Sequence, residues 1–157
     1  MQLAADSFFP TPETKEFFAD ELGGSVSVEC NYDYIQIDAT ARPENMLRLL
    51  ESISAAISAN SLDKETTAIV KTALIAKVKE LEKDPAYVAD RAVAKRLFGT
   101  FPYGRPQFGS LDSLQKIDYA DLRAARDRLV TADNATLTVQ GAIDPALALR
   151  GSRRYFG

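Results

Sequence analysis

The chain has no histidine in 157 residues, so much of the familiar catalytic repertoire is closed to it. Without His there is no Ser/His/Asp triad, no Cys/His dyad and no His-bearing metal site within these residues. Cys30 is the single cysteine. It allows no internal disulfide, and its place in an alternating stretch makes it a small core residue. One thiol plus carboxylates is a poor zinc ligand set. The residues Arg150, Arg153 and Arg154 form the one locally basic group, read as a solvated helix terminus. Lys77 is the remaining side chain of interest, because it borders a long apolar stripe.

That stripe belongs to the helix the chain is organised around, predicted over Asp63 to Asp84. Val70, Leu74, Val78 and Leu81 recur at helical spacing, and Ile69, Ala73 and Ile75 widen the face. Asp63 caps its first amides, Glu65 suits its positive end, Lys79 and Lys83 its negative end, and Pro85 cannot continue it. Upstream, PETKEFFADEL reads as a short helix stopped by Gly23 and Gly24. Val26, Val28 and Cys30, then Ile35, Ile37 and Ala39, alternate with polar residues and predict a hairpin with one buried face. Met46, Leu50, Ile53 and Ile57 mark a helix ending near Asn60. Asp84 and Pro85 open another helix, with Ala89, Ala92, Val93 and Leu97 as its apolar face, and the hairpin is expected to cover all three.

Gly99 to Asp112 is a loop rich in Gly, Pro and aromatic residues, expected to pack against the domain edge. Asp118 and Asp121 resemble a capping box for a helix through Leu122, Ala125 and Leu129. Ala135, Leu137 and Val139 predict a third strand, and Asp144 and Pro145 start a last helix. The order argues for an α+β fold, a mainly antiparallel sheet with helices on one face. Three strands are few for so many helices, so the expectation is a partial single domain over 1–157, with strands before Met1.

A hydrophobic share of 46%, a charged share of 26% and a net charge of -3 are ordinary for a soluble globular protein. They give no electrostatic case for nucleic acid or an anionic membrane. No apolar run approaches the roughly 18 residues that would span a bilayer, and MQLAADSFF lacks the regions of a signal peptide. The expectation is a soluble chain that binds neither nucleic acid nor membrane.

Gly23-Gly24 before a strand, Asp84-Pro85 after a long helix, Pro102-Tyr103-Gly104-Arg105-Pro106 with Gly109-Ser110, and the stretch Asn134 to Gly141 resemble the pitrilysin/insulinase family of zinc metallopeptidases. That family includes mitochondrial processing peptidases and bacterial relatives. The resemblance implies a LuxS/pitrilysin-peptidase-like fold with an inverted His-x-x-Glu-His zinc motif just upstream of this stretch. It also places the third zinc ligand, a Glu, at Lys77, with Glu80 one turn on as a substitute. A lysine ammonium does not ligate zinc at neutral pH. The resemblance therefore implies no catalytic residue and no metal in this chain, with zinc only in active members. It further implies that the strand after Gly-Gly binds an extended peptide through Ser27, Val28 and Glu29.

The leading expectation is a non-catalytic part or subunit of such a peptidase, binding peptide or building the chamber with a second peptidase-like domain or subunit. Two alternatives stand beside it. One is a truncated fragment of an active zinc-dependent metalloendopeptidase; the other is an α+β interaction module without a peptide groove.

Overall fold

The computed structural model describes residues 1–58 and 62–157. It is a largely helical chain carrying one small antiparallel sheet. Helix α1 is Gln2–Asp6 and α2 is Pro12–Asp20. Strands β1, Ser25–Cys30, and β2, Ile35–Thr40, pair antiparallel, with Val26 opposite Ala39 and Val28 opposite Ile37. Helices α3, Met46–Ile57, α4, Lys64–Leu81, and α5, Pro85–Phe98, follow. The chain closes with α6, Leu111–Lys116, α7, Tyr119–Leu129, and α8, Pro145–Phe156. The expected end of α3 near Asn60 lies outside the described residues; the helix itself stops at Ile57.

Local chemistry explains most boundaries. The Asp63 carboxylate accepts from the Thr66 N–H and starts α4. Asp84 and Asp144 cap α5 and α8 in the same way, each followed by a proline that needs no N–H partner. Asp118 and Asp121 cap each other's backbone at the start of α7, and Ser110 and Ser113 do so for α6. Gly23 takes a positive φ of 65°, and a Cβ on Gly24 would lie 1.9 Å from the Thr40 carbonyl oxygen. The two glycines thus end α2 and let the main chain press against the foot of the hairpin.

Two adjoining clusters form the core, one supplied by α1 and the other by the residues just after it. Leu3 and Ala4 pack with Val70, Leu74 and Val78 of α4, Leu114 of α6 and Leu122 of α7. Phe8 and Phe9, just after α1, join Phe18, Leu22 and Val26, closed over by Ile35, Ile37, Ile53 and Ile57. Each fully buried Leu or Phe is worth about 1.5–3 kcal/mol of transfer free energy.

The structure corrects the expected architecture in four places. Residues 135–139 form no strand, so the sheet has two strands among the described residues rather than three. The hairpin does not cover three helices: α3 lies over it, α4 rests on α1, α6 and α7, and α5 buries no residue at all. The stripe on α4 is narrower than its sequence suggests, since Ile69 is 43% exposed and Ala73 is also exposed. Helices α1 and α6 were not anticipated, the latter starting in the last two residues of the stretch read as loop.

Candidate functional site

The residues singled out for zinc do not form a site. Lys77 is exposed on α4, and its Nζ lies 4.3 Å from the centre of the Phe108 ring. Glu80, on the same helix, pairs with Lys83 at 2.7 Å in solvent. No group of three or more His, Cys, Asp or Glu side chains comes together among the described residues. A lysine over an aromatic ring and a carboxylate already paired with another lysine do not fit zinc.

Strand β1 separates the three residues assigned to peptide binding. Val28 turns inward and is half-buried, whereas Ser27 and Glu29 are exposed on the other face, opposite Asp38 and Gln36. Cys30 is half-buried beside Val28's face, and burial pushes its thiol up, away from the reactive thiolate. Arg150, Arg153 and Arg154 are exposed on α8, as a solvated helix end should be.

Val28 does line a cleft, which sequence reasoning missed. Between α1, α2, β1 and α4 runs an opening of about 210 Å³, bordered by Asp6, Phe9, Lys15, Val28 and Val70. Asp6 is its one carboxylate. Burial is the largest influence on that group and raises its pKa, against the Gln2 amide hydrogen bond at 2.7 Å and the nearby charges of Lys77 and Lys15. The cleft is smaller than the roughly 300–1,000 Å³ typical of ligand pockets. Its acid and lysines set local electrostatics without assembling a nucleophile and base.

A second constellation joins the hairpin turn to α5. Tyr103, in a 3₁₀ turn over Pro102–Gly104, stacks edge-on with Tyr32, Phe98 and Phe101, ring centres 5.3 to 5.7 Å apart. Its hydroxyl donates to the Asp33 carboxylate at 2.7 Å, which raises the phenol's pKa. The Tyr32 hydroxyl donates to the Arg105 carbonyl at 2.7 Å, and the Gln107 amide to the Cys30 carbonyl at 2.8 Å. The aromatic loop therefore does pack at an edge, as its composition suggests. It clamps α5 to the hairpin while leaving the outer face of that helix bare. Val93, Leu97 and Phe98 are 57%, 71% and 46% exposed, and Phe101 beyond them is 57% exposed.

A buried arginine, also missed, ties distant segments together. Arg126 of α7 is 1% exposed, donates to the carbonyls of Ala56 and Ser58 at 3.0 and 2.9 Å, and lies over the Phe8 ring. It fixes the end of α3 against α1, a structural duty. The only sequence signal was its place one turn after Leu122.

No helix among the described residues is long and apolar enough to cross a membrane. No family model matches the chain, and no curated protein matches it. The structure is similar to a chain of "Complex III2 from Candida albicans, Inz-5 bound", with a TM-score of 0.54 at 15% identity. The likeness covers 92% of this chain and 40% of that one, so the present chain spans well under half the length of its structural neighbour. These findings overturn the resemblance to pitrilysin/insulinase peptidases, and with it the peptidase part, the zinc-peptidase fragment, the partner peptidase domain and the extended peptide. The glycine, proline and capping signals behind that resemblance are the punctuation of an α+β fold, and here Asp84, Pro85, Asp118 and Asp121 do that work at the starts of α5 and α7. The chain belongs with a fold also found in a subunit chain of complex III2, and the likeness reaches no further than fold.

Proposed function

We propose that this chain is a structural subunit of a multi-protein assembly of the respiratory complex III type, held there through the outer face of α5. The observation that carries this reading is the exposed apolar run on α5. Val93 and Leu97 lie one helical turn apart on the same side, followed by Phe98 and Phe101. An apolar face rigidly presented by an aromatic clamp is the form of a subunit interface, where a few large side chains carry most of the binding energy. Lys95 and Arg96, exposed in the last turn of the same helix, add positive charge beside it. The fold likeness supports the same reading.

The test is a native gel of the detergent-solubilised assembly from cells carrying Leu97→Asp in the full-length protein. The expected result is loss of this chain from the high-mass complex, with the purified variant melting as the parent does. A variant that stays in the complex at parental levels would refute the reading.

A further inference from the structure

The Tyr103 clamp holds a pair of groups whose chemistry its packing duty does not use. The chain has six tyrosines, and among the described residues only Tyr32 and Tyr103 have rings stacked on one another, 5.3 Å between centres at 67°. Both are half-buried, one in the hairpin turn and one in the 3₁₀ turn after α5, so small solutes reach the pair while the fold holds it in place. The other rings against Tyr103, Phe98 and Phe101, are not phenols. The Tyr103 hydroxyl donates to the Asp33 carboxylate at 2.7 Å, whereas the Tyr32 hydroxyl donates to the main-chain carbonyl of Arg105. A phenol gives up an electron far more easily when its proton can leave in the same step, and a carboxylate in hydrogen-bond contact is placed to take it. Tyr87 and Tyr119 lack this arrangement. The Tyr87 hydroxyl has no hydrogen-bond partner, and the Tyr119 hydroxyl faces the Leu62 carbonyl and Arg123.

We propose that Tyr32 and Tyr103 are an oxidative modification site, joined by a covalent bond between their rings when peroxide-derived one-electron oxidants reach the clamp. Tyr103 reacts first: its electron passes to the oxidant, its phenolic proton passes to Asp33, and a neutral phenoxyl radical remains. A second oxidising equivalent takes an electron from Tyr32, whose proton goes to solvent. The two radicals then couple through ring carbons next to the oxygens. One carbon–carbon bond forms, two ring C–H bonds break, those hydrogens move to the oxygens to restore both phenols, and Asp33 returns its proton to solvent. The chain loses two electrons and two protons in all, and one peroxide O–O bond accepts the electrons as it breaks. Because the rings already touch, coupling within the chain outruns coupling to another chain. The new bond staples the hairpin turn to the loop that holds α5, and it does so whether or not the chain is a subunit.

The test uses the full chain, dilute and at neutral pH, illuminated with ruthenium tris-bipyridyl and persulfate. Bityrosine fluorescence and peptide mass mapping read the product. The expected product is a monomer two hydrogens lighter, with the Tyr32 and Tyr103 peptides linked, formed at a rate independent of chain concentration. Its melting point should rise by about 5 °C or more, since the bond closes a loop of about seventy residues. Tyr32→Phe and Tyr103→Phe should each abolish it. Asp33→Asn keeps an acceptor for the hydroxyl but does not take the proton, so product formation should slow by about tenfold. Links formed mainly between chains, or through Tyr87 or the 54%-exposed Tyr34, would overturn the assignment. So would an unchanged rate in Asp33→Asn, which removes the proton step the assignment stands on.

Discussion

Helices α4 and α5 are of similar length, each is capped by an aspartate, and each carries an apolar stripe, yet one is buried along that stripe and the other is bare. Val70, Leu74 and Val78 are at most 3% exposed, whereas Leu97 is 71% exposed. The difference comes from neighbours. Helix α4 meets α1, α6 and α7, and α5 is held through its C-terminal end and the Tyr103 clamp. Periodicity therefore identifies a helix and the side that seeks cover, but not whether the same chain provides it.

The sharpest way to break this comparison is to place the same charge on both helices. Val78→Asp should destabilise the fold by about 4 kcal/mol or more, because a carboxylate would enter a fully enclosed site. Leu97→Asp should change it by no more than about 0.5 kcal/mol. Denaturant melts of the two variants decide it, and equal losses would mean that α5 is packed after all. Next in size is the tie between α7 and the end of α3. Arg126→Ala should cost about 2–4 kcal/mol, because a side chain that is 1% exposed is removed together with its two hydrogen bonds to the carbonyls of Ala56 and Ser58, and Arg126→Lys should recover only part of it.

A smaller effect comes from the cleft on which α4 borders. Burial raises the Asp6 pKa, so the folded chain holds that proton more tightly than the unfolded one. The linked stability is present at pH below the ordinary carboxylate value and is lost as pH rises through the raised value of the folded state. Asp6→Asn should accordingly gain on the parent as pH increases from about 4 to 7 in parallel melts. The smallest effect reads the clamp on α5. Tyr103 should titrate above an ordinary tyrosine in an ultraviolet pH titration, and Asp33→Asn should bring it down by removing the accepting carboxylate.

Much of the scaffold was legible from residues whose effect is local. Asp63, Asp84, Asp118 and Asp144 cap helices wherever the chain goes, and the Val26 to Ala39 alternation needs only its own turn to pair. What misled was whatever depends on remote neighbours. The five residues of α1 are too short to show a period, and they are helical because the core takes Leu3, Ala4 and Ala5 from both sides. The start of α6 was hidden because Ser113, rather than an acid, completes its capping box. Leu137 and Val139 have the pattern of a strand but no partner among the described residues. The candidate site was the least legible part. Lys77 and Glu80 took their meaning from a borrowed register, while Asp6 and Tyr103 acquire theirs only when α1 meets α4 and the hairpin turn meets α5.

Gly151 carries a consequence for the order in which the molecule comes apart. A Cβ there would lie 2.7 Å from the Leu47 side chain, so α8 is seated on α3 by the absence of a side chain, with the Ser54 hydroxyl donating to the Tyr155 carbonyl beside it. The connection back to α7 is long and exposed, and no part of the two core clusters crosses it beyond Val130. Helix α8 is in effect a tethered ligand of α3, bound at an effective concentration on the order of millimolar. Its detachment would uncover Leu50 but neither core cluster, so α8 should come away before the rest unfolds, and a protease that cuts the tether should let dilution separate the two parts.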